Sequence, residues 1–294
     1  MRHPVELPNV RALMRRFGLH PDKRLGQNFL IEKSSLEKVV QVSSLYGDET
    51  VLEIGAGLGS LTVLLSASAQ RVIAVEIDKR LIPALELSIG HLDNVHLIVG
   101  DILKLNITDL LDDQAYFVIA NIPYNITSVL VRHLMESRHP PERIVLTLQR
   151  EVAQRIIAVP GELSLLALSV QVYGTPKIVG QIPSSAFYPQ PKVDSSIIRI
   201  QLHPSPIVPP ELISTFFHLA KIGFNQKRKQ LVNSLASGLG MNKDQVRMWL
   251  IESKIDPQSR PQEIELMQWV RLAETISNPV ANSMNRRESK EKDG

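Results

Sequence analysis

The sequence predicts an α/β fold, with a doubly wound sheet of seven strands followed by a small all-helical domain. From residue 50 onward, short β-branched runs alternate with segments of helical length, which is typical of βαβ units and a mainly parallel sheet. Beyond residue 203 only helical patterns follow. The chain has 294 residues, of which 44% are hydrophobic, enough for one large α/β domain and a smaller companion.

Seven segments are predicted as strands because they are short, apolar and rich in β-branched residues. They are TVLEI (50–54), RVIAVE (71–76), NVHLIVG (94–100), AYFVIAN (115–121), RIVLTL (143–148), PKIVGQI (176–182) and SSIIRIQL (195–202). Helical patterns lie between them at 59–68, 80–90, 127–137, 149–159 and 162–174. The segment 183–194 contains three prolines and no helical pattern, so the last two strands are expected to form an antiparallel pair at the sheet edge.

The segment HPSPIVPP (203–210) is predicted to be a linker, because its prolines cannot continue a sheet ladder. The helical patterns that follow lie at 211–223, 227–238, 243–252 and 261–276. We therefore divide the chain into four parts. These are an N-terminal extension (1–21), an α/β domain (22–203), a helical domain (204–276) and a polar tail expected to be disordered (277–294).

The composition excludes several classes of protein. The chain has no cysteine, which excludes a disulfide scaffold and Cys-ligated metal sites and suits a reducing compartment. The N-terminus has no apolar signal-peptide core, and no apolar run is long enough to span a membrane. We expect a cytoplasmic protein that makes no membrane contact.

The charge distribution has two interpretations. Residues 1–33 carry seven basic and three acidic side chains, whereas residues 34–203 carry thirteen and seventeen. A protein that holds a cationic cofactor centrally and grips phosphates with its flanks would have an acidic middle and basic ends. A chance imbalance on solvated surfaces explains the same counts equally well.

The segment VLEIGAGLGSLT carries the first chemical signal. A predicted strand reaches Glu53, and a turn with Gly55, Gly57 and Gly59 leads into a predicted helix. Glycines permit a tight turn and a close approach of the backbone to a ligand. Glu76, at the end of the next strand, is placed to accept hydrogen bonds from the ribose hydroxyls of a nucleoside.

These residues alone fit both NAD and S-adenosylmethionine, and three details favour the methyl donor. Ser60 occupies the last position of the glycine fingerprint, where a dinucleotide site has Gly or Ala. Glu53 would repel a pyrophosphate but attract the ammonium group of the donor's amino-acid part. Asp101 can accept a hydrogen bond from the donor's adenine, although a helix N-cap is an equally good explanation for this residue.

The segment NIPY, at the end of the fourth predicted strand, indicates the reaction. The Asn121 side-chain oxygen and the Ile122 carbonyl can accept the two hydrogens of an adenine N6 amine and aim its lone pair at a methyl group. Pro123 fixes the turn, and Tyr124 offers a face for stacking by an extruded base. No strong base is needed, because the sulfonium is an excellent leaving group. In isolation the same four residues would be an ordinary β-turn.

The chain resembles the bacterial small-subunit (16S) ribosomal RNA adenine N6,N6-dimethyltransferases between about residue 22 and residue 275. The matching segments are KRLGQNFL (23–30), LEIGAGLG (52–59), VEID (75–78), GDIL (100–103), NIPYNIT (121–127), FYPQPKVDSSIIRI (187–200) and FNQKRKQLVNSL (224–235). The resemblance implies a seven-stranded class I (Rossmann-like) methyltransferase sheet. It also implies S-adenosylmethionine as the methyl donor, without a metal.

The resemblance further implies roles for individual residues. Those that would contact the cofactor are Gln27, Asn28, Leu30, Gly55, Glu76, Asp101 and Asn121, the last shared with the target amine. Phe187 would stack on the adenine face opposite Tyr124, although without the resemblance a loop aromatic that covers the core is the preferred interpretation.

The basic residues Lys221, Lys227, Arg228 and Lys229 lie in the predicted helical domain with no acidic residue between them. The resemblance implies that they contact the RNA backbone, whereas the sequence alone favours an ordinary solvated helix face. The implied partner is 16S ribosomal RNA in the small subunit or its precursor, bound by a monomer. The implied product is dimethyladenosine at two adjacent bases of a hairpin loop near the 3′ end.

Three alternatives remain open at this stage. The first is a methylase of large-subunit ribosomal RNA, of the macrolide-resistance type. The second is a non-catalytic assembly or RNA-binding factor that keeps the same fold. The third is a nicotinamide-dependent dehydrogenase, which would bind NAD.

Overall fold

The computed structural model describes residues 6–111, 114–122 and 127–278. Within these residues the chain forms two compact units. The α/β unit extends to residue 154 and resumes over residues 175–202, and the helical unit comprises residues 155–174 and those after 202. No helix of the described residues is both long enough and apolar enough to cross a bilayer.

The described strands form two sheets. They are β1 (Phe29–Leu30), β2 (Thr50–Ile54), β3 (Arg71–Glu76), β4 (Val95–Val99), β5 (Tyr116–Asn121), β6 (Arg143–Gln149), β7 (Gly174–Ile182), β8 (Phe187–Tyr188) and β9 (Ser195–Leu202). The main sheet has seven strands in the order β4-β3-β2-β5-β6-β9-β7, and β1 pairs with β8 separately. The predicted fold class, a seven-stranded α/β sheet followed by helices, is confirmed.

One helix of the α/β unit precedes β1, and the others lie between the strands. They are α1 (Val10–Arg16), α2 (Lys33–Ser43), α3 (Ser60–Ser66), α4 (Ile82–Ile89), α5 (Ile107–Leu111), α6 (Thr127–Met135) and α7 (Arg150–Ile156), whose last residues belong to the helical unit. The remaining helices all belong to the helical unit: α8 (Leu165–Gln171), α9 (Ile213–Asn225), α10 (Leu231–Leu239), α11 (Lys243–Glu252) and α12 (Leu266–Ser277).

The topology brings the ends of β2 and β5 together. Strand β2 lies between β3 and β5 and runs parallel to both. Strand β6 continues the parallel part, β9 is antiparallel to β6, and β7 forms the edge beside β9. Since parallel strands end at the same edge of a sheet, the turn after β2 and the segment after β5 are neighbours at the switch point of the strand order.

Burial explains why these segments are strands. Every residue of β2 is buried, and so are the inner residues of β5 and β6, whereas the edge strand β4 is mostly half-buried. A central parallel strand is covered by helices on both faces, so its sequence is a continuous apolar run rather than an alternating one.

The N-terminal extension contains a short helix that the sequence analysis did not predict. The side chain of Asn9 caps α1 by accepting a hydrogen bond from the Ala12 amide at 3.0 Å. On one face of α1, Val10 and Met14 join an apolar cluster that includes Phe29. Only two of the seven residues of α1 are buried, so its apolar pattern is too short to stand out in the sequence.

The helical unit also takes in a segment that precedes β7. Helix α8 packs against α9, and the ring of Tyr173 stacks on that of Phe217 with centroids 6.4 Å apart. This unit is therefore discontinuous in sequence. The domain bounds at 22–203 and 204–276 stay predictions, and the tail beyond residue 278 lies outside the described residues.

Candidate active site

The glycine turn connects β2 to α3 in a conformation that other residues rarely adopt. Gly55, Gly57 and Gly59 have φ angles of 79°, 60° and 87°. The Gly55 and Ala56 amides both donate hydrogen bonds to the Val75 carbonyl of β3, at 2.8 and 3.1 Å. The positive φ angles explain why the motif needs glycine, and the two hydrogen bonds fix the turn to the neighbouring strand.

Two of these glycines also sit in tight surroundings. A Cβ atom on Gly57 would lie 3.1 Å from the ring of Phe29, and one on Gly59 would lie 2.9 Å from Ile89 on α4. Gly57 therefore allows the turn to approach Phe29, whereas Gly59 allows α3 to begin against α4. The second role is one of packing between helices.

Glu76 ends β3 directly beside the turn. Its Oε2 accepts a hydrogen bond from the Gly57 amide at 2.7 Å, and its Oε1 accepts one from the Asp78 amide at 2.8 Å. Burial raises the pKa of Glu76, and the two amides oppose that effect. A carboxylate oxygen can accept two hydrogen bonds, so each oxygen retains a lone pair for a ligand hydroxyl.

A cleft of about 780 Å³, its open mouth included, lies at this edge of the sheet. Its walls are formed by Leu25, Gly26, Gln27, Asn28, Phe29, Ile54, Gly55, Gly57, Val75, Glu76, Ile77, Leu81, Gly100, Asp101, Ile102, Asn121 and Ile122. The walls combine apolar side chains with a few polar groups, as is usual for the binding sites of small ligands.

The cleft brings together most of the predicted site residues, which come from five separate segments of the chain. Those that border it are Gln27, Asn28, Gly55, Gly57, Glu76, Asp101, Asn121 and Ile122. Four others do not border it, namely Leu30, Glu53, Gly59 and Phe187. Pro123 and Tyr124 lie outside the described residues.

Asn121 is the last residue of β5, and its amide is held in one orientation. The Nδ2 atom donates a hydrogen bond to the Asn28 carbonyl at 3.1 Å. The amide is planar, so Oδ1 is directed away from that carbonyl, and no described residue donates a hydrogen bond to it. Ile122 follows as a buried residue of the cleft wall. The arrangement leaves one amide oxygen available to accept a hydrogen from a ligand in the cleft.

For Asp101 the structure shows a turn cap and a position on the cleft wall, and the contact with adenine stays a prediction. Its Oδ1 accepts a hydrogen bond from the Leu103 amide at 3.1 Å, and its Oδ2 lies 3.8 Å from the Lys104 ammonium. The residue thus caps the turn that follows β4. It also borders the cleft, where a carboxylate oxygen has further capacity to accept a hydrogen bond.

Glu53 is embedded in β2 and does not reach the cleft. Its side chain is only 1% exposed, and its Oε2 has no hydrogen-bond partner in the described structure. Burial raises the pKa of Glu53 to about 8, and the nearby charge of Glu76 adds to the effect. The nearby Thr62 hydroxyl opposes this increase without cancelling it. The attraction of Glu53 for a ligand ammonium stays a prediction.

Phe187 and Leu30 lie opposite each other in the β1–β8 pair. Both belong to a hydrophobic cluster of buried residues in the α/β unit, and Phe187 is 2% exposed. This placement agrees with the alternative interpretation, in which Phe187 packs in the core. To stack on a base, its ring would have to leave this cluster, so the stacking role stays a prediction.

The sequence analysis missed the apolar walls of the cleft. Ile77 follows Glu76 and is 48% exposed, although it is an isoleucine. Leu81 and Ile102 are buried residues that complete the same wall. The sequence did offer a signal for this wall, since Ile77 directly follows Glu76 at the end of a strand. An apolar side chain at such a position faces either solvent or a ligand.

The predicted RNA contacts lie on the helical unit. Lys221 is on α9, and the other three residues occupy the turn at 227–229 that follows this helix. All four side chains are exposed. None of them forms an ion pair within the part of the chain that the structure describes. Four free cations are therefore available to a polyanion.

Among the described residues, no group of three or more His, Cys, Asp or Glu side chains is placed to hold a metal ion.

Comparison with known proteins gives a consistent result. A family described as ribosomal RNA adenine dimethylase matches residues 19–278. A ribosomal RNA small subunit methyltransferase A from Dehalococcoides mccartyi is 40% identical over 278 residues, which cover 94% of this chain and 96% of that protein. A protein of the same name from Moorella thermoacetica is 37% identical, and the match covers 91% of this chain and 96% of that protein.

Solved structures show the same similarity. A dimethyladenosine transferase from Plasmodium falciparum superposes with a TM-score of 0.68 at 26% identity, over 83% of this chain and 95% of that one. The 23S ribosomal RNA methyltransferase ErmE superposes with a TM-score of 0.67 at 24% identity, over 85% and 100%. At that identity, the likeness to ErmE concerns the fold alone.

Proposed function

The chain belongs to the ribosomal RNA adenine dimethylase family, and from this premise we propose that it transfers methyl groups from S-adenosylmethionine to the N6 amine of adenosines in 16S ribosomal RNA. The targets are two adjacent adenosines of a hairpin loop near the 3′ end, and the product is N6,N6-dimethyladenosine. The enzyme acts as a monomer in the cytoplasm, on the small subunit or its precursor, and takes part in maturation of that subunit.

The residues of the cleft fit S-adenosylmethionine. The Glu76 oxygens, already positioned by two backbone amides, would accept hydrogen bonds from the ribose hydroxyls. Asp101 would accept one from the adenine amine, between the apolar walls at Ile77 and Ile102. Gly55 and Gly57 allow the backbone to approach the ligand closely. When bound, the cofactor supplies a methyl group on a sulfonium, which is electrophilic without help from a metal.

Asn121 and Ile122 act on the target amine. Asn121 Oδ1 and the Ile122 carbonyl would each accept one N6 hydrogen, which pulls the nitrogen toward tetrahedral geometry and exposes its lone pair. The observation that carries this proposal is the hydrogen bond from Asn121 Nδ2 to the Asn28 carbonyl, since it leaves Oδ1 without a donor among the described residues. Catalysis is then mostly positioning in a site that excludes water.

The remaining predicted residues hold the RNA. Tyr124 and Phe187 would stack on the two faces of the extruded adenine, which for Phe187 requires movement out of the core. Lys221 and the basic run at 227–229 would contact phosphates, because they are exposed and form no ion pair in the described structure. Glu53, Leu30 and Gly59 would support the cofactor site from behind its walls.

The decisive experiment uses small ribosomal subunits from cells that lack this modification. We expect mass spectrometry of their RNA, after incubation with the protein and S-adenosylmethionine, to reveal dimethyladenosine at two adjacent positions. Large subunits serve as the matched control. Dimethyladenosine in large-subunit RNA alone would replace this proposal with the macrolide-resistance type of methylase. Binding to subunits without methylation would indicate a non-catalytic assembly factor.

The role of Asn121 has its own test. We expect Asn121→Ala to lower the rate of methyl transfer at least about a hundredfold, which corresponds to the loss of one positioning interaction of this kind. Its thermal unfolding should stay close to wild type, because the side chain is at the cleft and not in the core. Near-normal turnover in a folded variant would contradict the positioning mechanism.

A further inference from the structure

We propose that Asp78 and Arg80 are positioning residues of the methyl-transfer reaction. They act through Gln27 and Asn28, and the group that they position is the amide of Asn121. The inference rests on the proposed function, since it concerns the orientation of the same amide. It assigns a role to two residues that lie behind the cleft wall and have no contact with its interior.

The first link is a two-point ion pair on the turn after β3. The Arg80 guanidinium donates from Nε to Asp78 Oδ1 at 2.8 Å and from Nη2 to Asp78 Oδ2 at 2.6 Å. Asp78 is buried, whereas the Arg80 side chain is 52% exposed. A planar fork that engages both carboxylate oxygens fixes the orientation of the carboxylate as well as its position.

The second link runs from this carboxylate to the segment ahead of β1. Gln27 Nε2 donates to Asp78 Oδ2 at 2.8 Å, and Gln27 Oε1 accepts from the Asp22 amide at 2.8 Å. Arg80 Nη2 also lies 3.5 Å from Asp22 Oδ2. The ion pair and the Gln27 side chain therefore tie the segment 22–28 to the β3–α4 turn at two points.

The third link reaches the reacting group. Asn28 follows Gln27 directly, its side chain donates to the Gly26 carbonyl at 3.1 Å, and its own carbonyl accepts the hydrogen bond from Asn121 Nδ2 at 3.1 Å. A primary amide can rotate by half a turn at little cost, which would exchange its donor and acceptor. The hydrogen bond to the Asn28 carbonyl selects the amide orientation in which Oδ1 has no donor among the described residues. The position of the Asn28 carbonyl therefore determines where Asn121 Oδ1 lies.

This chain of contacts predicts which step of the reaction depends on Arg80. The residue is half exposed and does not border the cleft, so its loss removes no direct contact with either ligand. The segment 22–28 gains freedom, and the fraction of molecules with a correctly oriented Asn121 amide falls. The rate at saturating cofactor and RNA should therefore fall, and not only the affinity for either ligand.

The experiment measures single-turnover methyl transfer with saturating S-adenosylmethionine and unmodified small subunits. We expect Arg80→Gln and Asp78→Asn each to lower the rate about tenfold, a typical coupling within one hydrogen-bonded network. Arg80→Lys should recover part of the loss, since it keeps the charge but not the fork. The matched control is Lys33→Gln, which breaks an exposed ion pair with Glu37 at 3.7 Å in the same unit and should keep the wild-type rate.

A second measurement separates positioning from a general structural effect. In an Asn121→Ala background, Arg80→Gln should cause no further loss, because the group it positions is already gone. A full tenfold loss in that background would overturn the inference, as would an Arg80→Gln variant with the wild-type rate. If Asp78→Asn fails to fold, the Arg80 variants carry the test alone. If the wild-type protein itself transfers no methyl group, the proposed function fails instead.

Discussion

The buried carboxyl group of Glu53 leads to a quantitative prediction about stability, because one of its oxygens has no hydrogen-bond partner in the described structure. We expect that in the Glu53→Gln variant the free energy of unfolding of the α/β unit falls less as the pH rises. The side chain is 1% exposed, and burial raises its pKa from the ordinary 4.5 to about 8. The glutamine side chain has nearly the same shape and does not ionise, so the variant removes the titration with little change in packing.

The sign follows from the direction of the shift. Between about pH 4.5 and pH 8 the unfolded chain releases this proton while the folded protein retains it, so stability falls as the pH rises. Each pH unit in that window costs about 1.4 kcal/mol, and the wild-type protein should lose about 3 kcal/mol between about pH 5 and about pH 7.5 from this group. Over the same pH range, the free energy of unfolding of the variant should fall by about 3 kcal/mol less than that of the wild type.

The assay is urea unfolding at the two pH values, followed by far-ultraviolet circular dichroism. Both tryptophans, Trp249 and Trp269, belong to the helical unit, so their fluorescence follows that unit separately. Glu86→Gln, which changes an exposed glutamate on α4, supplies the control for the loss of a carboxyl group. Stability curves that stay parallel for the wild type and Glu53→Gln from pH 5 to pH 7.5 would refute the reasoning.

Three further predictions concern other parts of the molecule. Glu76→Ala should weaken S-adenosylmethionine binding at least about tenfold by calorimetry, since a charge-assisted hydrogen bond contributes about 1.5 to 3 kcal/mol, and unchanged affinity would contradict its ribose role. Gly59→Ala should lower the free energy of unfolding by about 2 to 4 kcal/mol in urea titrations, because backbone strain and the clash with α4 add. Gly18→Ala is the matched control, because Gly18 has a φ of 61° and no atom lies within 4 Å of the new Cβ. Its free energy of unfolding should fall only by the cost of the backbone strain. Replacing the basic run 227–229 with glutamines should reduce the salt dependence of RNA binding by about 2 in the log–log slope, and an unchanged slope would remove these residues from the interface.

The sheet could be predicted from sequence because each strand carries its own signal. Strand β2 is buried on both faces, so it is a short and mostly apolar run between turn residues, and the same holds for β5 and β6. Gly55 and Gly57 mark the turn because their positive φ angles allow few other residues. The position of Asn121 next to this turn then follows from the order of the strands alone.

The contacts that orient the site could not be predicted in this way. Gln27 and Asp78 are 51 residues apart in sequence, and Asn28 and Asn121 are 93 apart. No local pattern encodes a pairing across such distances. The same limit applies to Phe187, which lies in a short strand whose partner β1 has only two residues. Helix α2 was missed as well, since its N-cap residue Glu32 makes no side-chain capping bond.

Glu53 and Glu76 differ in how the protein solvates them, although both are almost fully buried on neighbouring strands. Two backbone amides hold the Glu76 oxygens, whereas Glu53 Oε2 has no hydrogen-bond partner in the described structure. Burial raises both pKa values, and the amides oppose the effect only at Glu76. Glu76 is thereby placed to accept hydrogen bonds at the cleft, while burial favours the protonated form of Glu53 inside the sheet. The charge of Glu76 raises the pKa of Glu53 further, because two adjacent ionised carboxylates would repel each other.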